Sequence, residues 1–156
     1  MPAPGTQFAG PIISGPRQYA EGSTPPDAGY AVLTQKVTLT QNGTNNVSAT
    51  MRIPEHCQIM DFLIDRTVAF DSAVSAGLTI GTAAGGSQYA SSVDLKAAAG
   101  RTIGPVSPTL AQMTALLDTG TNKDVVCTAT VSGAGGTSGS VTITMRYVQT
   151  VNWMSP

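Results

Sequence analysis

Between residues 30 and 149 the sequence repeatedly alternates apolar side chains with hydroxyl-bearing or charged ones, at a period of two. The last run is the cleanest: Val141, Ile143, Met145 and Tyr147 fall on one face, and Thr142, Thr144 and Arg146 on the other. Tyr30 to Thr40 behaves alike, with Val37 and Leu39 inward and Lys36, Thr38 and Thr40 outward. Only a strand sends successive side chains to opposite faces, so this pattern commits the chain to sheet. The interleaved residue is mostly threonine, 21 in all, whose branched Cβ suits a pleated surface.

Turn chemistry divides the alternation into about eight strands. Asn42-Gly43 marks a tight turn, Val47 to Ile53 reads as the returning strand, and Pro54 stops it. Cys57 to Phe70 is the most apolar stretch. With no bulge, Met60, Phe62, Ile64, Val68 and Phe70 share its core face, and Ile59, Asp61, Leu63 and Asp65 take the other. Gly77 to Thr82, Gln88 to Leu95 and Arg101 to Val106 are shorter strands, the first followed by a Gly85-Gly86 turn. Thr109 to Asp118 is the one helical candidate, bounded by Pro108 and Gly120. Lys123 to Val131 and Ser140 to Gln149 are expected to pair across the glycine-rich segment 133–139. Strands at this spacing predict an antiparallel β-sandwich of jelly-roll type over residues 30–156.

Residues 1–29 differ. They hold six of the ten prolines and five glycines, which oppose both helix and central strand. Such a composition builds no core of its own. The expectation is an extended docking arm laid across a neighbour and anchored by Phe8, Ile12, Ile13 and Tyr19.

Charge narrows the function classes. Only 11% of residues are charged, against about 25% in an ordinary soluble domain, and the net charge is −1. Copies therefore repel one another weakly, and a Thr/Ser/Gly/Ala surface costs little to desolvate. Eight scattered basic residues give no footprint for nucleic acid. No apolar run approaches the roughly 20 residues of a membrane span, and the start, Met1-Pro2-Ala3-Pro4-Gly5, lacks the features of a signal peptide. Cys57 and Cys127 have no metal-type spacing and are expected to be reduced, small core hydrophobes. Asn42-Gly43-Thr44 and Asn46-Val47-Ser48 match the glycosylation pattern but read as turn chemistry.

No catalytic constellation emerges. His56 is the only histidine, no G-x-S-x-G elbow is present, and Glu55-His56 after Pro54 reads as a polar turn. One histidine and two distant cysteines do not make a zinc site, and no cofactor is expected. Asp61, Asp65 and Asp71 all sit at odd positions and read as a solvated face. The two glycine-rich segments, 81–86 and 133–139, lack the Lys-Ser/Thr ending of a phosphate loop and read as loop tips. Of eight aromatics, Phe62, Phe70 and Tyr147 are assigned to the core; Trp153, beyond the last strand, is read as covering a core edge or docking on a partner rather than stacking on a ligand.

Several segments together resemble the small decoration (cement) proteins of tailed bacteriophages. They are Gly29-Tyr30-Ala31-Val32-Leu33-Thr34-Gln35, Arg52-Ile53-Pro54, Ile59-Met60-Asp61-Phe62-Leu63-Ile64-Asp65, Ala69-Phe70-Asp71, Leu78-Thr79-Ile80-Gly81-Thr82 and Val141 to Val148. The resemblance implies a structural virion protein, not an enzyme: a homo-oligomer, often a trimer, seated on the major capsid protein at the capsid exterior and made in the bacterial host cytoplasm. It supplies no active residues. Two other readings are a phage tail or fibre component binding host glycans, which requires exposed aromatics, and a small hydrolase built around His56.

Overall fold

The computed structural model describes residues 32–117 and 120–149. Along the chain run β1 (Val32–Thr40), β2 (Val47–Ile53), β3 (Cys57–Val68), β4 (Ser75–Gly81), β5 (Ala90–Asp94), β6 (Gly100–Gly104), α1 (Leu110–Ala115), β7 (Lys123–Ser132) and β8 (Ser140–Gln149). All strand pairs are antiparallel. They form two four-stranded sheets, ordered β1-β8-β3-β6 and β2-β7-β4-β5. The chain is thus the all-β antiparallel sandwich that the alternation demands.

Two pairings expected from sequence do not occur. The Asn42-Gly43 turn forms, with Gly43 at φ 59° and a bridge between Asn42 and Asn45. Yet β2 does not return along β1: β1 pairs β8, and β2 pairs β7. Likewise β7 and β8 are not partners, and residues 133–139 carry the chain from one sheet to the other. Turn signals report a change of direction, not which edge the next strand joins. Only β4 and β5, consecutive and paired, form a hairpin.

The core lies between the sheets. β8 alternates as read, with Val141, Ile143, Met145 and Tyr147 buried. Leu39 of β1 and Met51 and Ile53 of β2 join them, as do Leu78 and Ile80 of β4 and Val125, Cys127, Ala129 and Val131 of β7. Tyr89, 1% exposed, packs its ring 6.1 Å from that of Phe62.

β3 departs from its simple period. Its pairing with β8 slips between Ile59 and Asp61 and again between Arg66 and Val68. Each slip admits one extra residue and inverts the phase. Ile59 and Cys57 are therefore buried, whereas Met60 and Val68, assigned to the core from sequence, are 46% and 47% exposed. Phe62, Ile64 and Phe70 remain inward.

Candidate functional site

The strand directions place the β2–β3 turn, the β4–β5 loop and residues 105–122 at one end of the sandwich, together with Val32 and Gln149. From the end of β6 through the segment that leads to β7, an unusual number of apolar side chains is exposed. Ile103, Val106, Leu110, Met113 and Leu117 are 47–76% exposed. Single exposed apolar side chains are ordinary; five in fifteen consecutive residues are not.

The local cause is a helix packed with its polar side in. Thr109 caps α1, its hydroxyl accepting from the Gln112 N–H at 3.2 Å, while Gln112 Oε1 accepts from the Thr109 N–H at 3.0 Å. Gln112 Nε2 also donates to the Ser87 carbonyl at 3.1 Å, which ties the helix to the β4–β5 loop and leaves Gln112 buried. Ala115 and Leu116 pack against the core, and the Leu116 carbonyl accepts from Ile59 N–H at 2.9 Å. With that side fixed, Leu110, Met113 and Leu117, spaced three and four apart, share the outer side. The spacing was present in the sequence; the inward role of Gln112, which decides the orientation, was not.

The outer face of the β1-β8-β3-β6 sheet carries two charge pairs. Arg146 Nε donates to Asp61 Oδ1 at 2.6 Å, and its Nη2 to Oδ2. Arg101 grips Asp65 in the same two-pronged way, at 2.6 and 2.9 Å. Arg101 holds the Asp65 carboxyl below its ordinary range, and both guanidinium groups are shifted up by their aspartates. The three aspartates are therefore not a simple solvated face. Asp61 and Asp65 face arginines delivered by β8 and β6, a juxtaposition set by strand order. Asp71 lies beyond the second slip, in a loop, where its Oδ2 accepts from the Ser138 N–H at 3.4 Å.

His56 stands in the turn after β2 with a left-handed backbone, φ 53°. Asp61, one acid that a His56-based triad could draw on, is engaged by Arg146. Among the described residues no group of three or more His, Cys, Asp or Glu is placed to hold a metal ion. No helix among them is long and apolar enough to cross a membrane. Their aromatic residues, Phe62, Phe70, Tyr89 and Tyr147, are all buried. Cys57 and Cys127 are buried free thiols, and burial pushes the Cys127 thiol up to about 12. Phe8, Ile12, Ile13, Tyr19 and Trp153, the partner-binding residues expected from sequence, lie outside the described residues.

No protein-family model and no curated protein matches the sequence. Solved structures do match the fold. A chain from the capsid of Ralstonia phage GP4 aligns with a TM-score of 0.54 at 14% identity, covering 83% of this chain and 92% of that one. A chain from the cyanophage Pam1 capsid asymmetric unit aligns with a TM-score of 0.52 at 16% identity, covering 85% and 95%. At such identities the likeness establishes a shared fold.

Proposed function

We propose that this chain is a structural virion protein that decorates and stabilises a phage capsid by self-assembly and by docking onto the major capsid protein. The observation that carries the reading is the apolar stripe from Ile103 to Leu117, on a fold shared with chains from two phage capsids. A soluble domain keeps such a surface only where a partner covers it. The low charge fits, because little has to be desolvated when copies pack together. The strand orders β1-β8-β3-β6 and β2-β7-β4-β5, with a single hairpin, are read as a jelly roll, an architecture used by viral capsid domains.

In this reading residues 30–156 are the folded body and residues 1–29 the docking arm, with Phe8, Ile12, Ile13 and Tyr19 as anchors and Trp153 as a further partner contact. The assembly is a homotrimer on the capsid exterior, formed in the bacterial cytoplasm. The test is sedimentation of the purified chain with capsids that lack it, alongside light scattering of the chain alone. Full-length protein should co-sediment and scatter as a trimer. Leu110→Asp combined with Met113→Asp should abolish one or both with an unchanged thermal transition. A double variant that assembles and sediments like the parent overturns the role of the stripe. The glycan-binding alternative needs an exposed aromatic platform, and the aromatics of the described residues offer none.

A further inference from the structure

The sandwich has two open sides. On one, the Gln35 side chain bridges β1 to β2, donating to the Arg52 carbonyl and accepting from the Arg52 N–H at 3.1 Å. On the other, the edge strands β5 and β6 leave a groove of about 240 Å³. Arg66 lines it together with Ser91, Thr102 and the apolar side chains of Val93 and Val106. Val106 belongs to both the groove and the exposed apolar stripe, so a partner seated on the stripe reaches the groove as well.

Arg66 is held differently from the other arginines of this sheet. Arg101 and Arg146 each spend their charge on an aspartate. Arg66 Nε donates to the Ala98 carbonyl at 3.3 Å and its Nη1 to the Thr102 hydroxyl at 2.8 Å, both neutral acceptors. A guanidinium has five N–H donors, so these two contacts orient it and leave the remaining donors without a hydrogen bond among the described residues. Asp94 also borders the groove, but its Oδ1 accepts from the Lys96 N–H at 2.8 Å, and it makes no ion pair with Arg66. Ser91 adds a hydroxyl with no hydrogen bond among the described residues.

A guanidinium held in place with donors to spare, at the edge of an exposed apolar stripe, is chemistry for a carboxylate. The planar fork matches two carboxylate oxygens, and covering the exposed Val106 would remove water that weakens the pair. We infer that the β5–β6 groove is a socket for an aspartate or glutamate side chain of the protein partner that covers the apolar stripe, with Arg66 as its receptor. The inference rests on the reading of this chain as an assembling protein, since the carboxylate comes from the partner.

The socket is tested without any partner by titrating the isotopically labelled full chain with sodium acetate and, in parallel, with sodium chloride. Acetate should shift the Arg66 Nε–H and the amides of Ser91 and Thr102 along one saturating curve, chloride should not, and Arg66→Gln should lose the response. Equal shifts with chloride, or acetate shifts spread alike over Arg52, Arg101 and Arg146, mean an adventitious ion only and overturn the socket. Partner attachment is then read separately, by co-sedimentation with capsids. Arg66→Gln should weaken it at least tenfold, and Arg66→Lys, which keeps the charge without the fork, should restore it in part. Undiminished attachment of Arg66→Gln also overturns the socket. A parent chain that responds to acetate yet never binds capsids sinks the proposed function instead.

Discussion

The slip in β3 gives a sharp test of the fold, because it exchanges the roles of two adjacent residues. Ile59 is 1% exposed and Met60 46% exposed, whereas an unbroken strand would bury Met60. Truncating a fully buried Ile to Ala removes its transfer energy and leaves a cavity, about 2–5 kcal/mol together. Ile59 sits in the core near the start of β3, so about 3 kcal/mol is a fair centre. For a domain of this size that lowers the melting temperature by roughly 9–15 °C. Met60→Ala removes a side chain already half in water and should cost less than about 1 kcal/mol. Chemical denaturation of both variants, with equal m-values to certify a two-state comparison, gives the two numbers directly. Comparable costs, or a larger cost at Met60, would refute the slipped register.

Further tests reach other parts of the structure. At Gly135 an added Cβ would overlap the backbone of Gly43 and Thr44, so Gly135→Ala should lower stability by roughly 1–3 kcal/mol, read by thermal unfolding. Burial holds the Cys127 thiol at about 12, and both thiols are buried, so a thiol reagent at pH 8 should label neither until the protein is unfolded; rapid native labelling contradicts the packing. Asp65 titrates below its ordinary value because of Arg101, so its contribution is present above the unfolded carboxyl pKa and is lost as pH falls through the lower folded value. The melting-temperature gap between the parent and Asp65→Asn should therefore be largest near neutral pH, shrink in high salt and vanish towards pH 2; a gap that grows on acidification contradicts the pair.

What the sequence made legible follows from how local each signal is. Alternation located every strand, because the side-chain period needs no knowledge of the partner strand: β1 and β8 fit residue for residue over nine register pairs. The pairing of strands was not legible. Asn42-Gly43 is a hairpin signal, yet β2 lies in the other sheet, since burial between two sheets rewards crossing over more than returning. The slips at Ile59/Asp61 and Arg66/Val68 leave no mark in composition, so the phase of β3 was misread at Met60 and Val68. The candidate surface was half visible. Leu110, Met113 and Leu117 carry a helical spacing, but nothing local says that Gln112 turns inward to Ser87 and sends them out. The partners of Asp61 and Asp65 come from strands 85 and 36 residues away in sequence, beyond any local pattern.

We propose that this chain coats a phage head through the surface between Ile103 and Leu117. A three-dimensional image of intact particles containing the chain, at a resolution that traces strands, tests it most directly. The account predicts eight-stranded sandwiches on the exterior of the head, with Leu110, Met113 and Leu117 covered by a neighbouring copy or by the major capsid protein. Sandwiches confined to the tail, or on the head with those three side chains facing solvent, would contradict it.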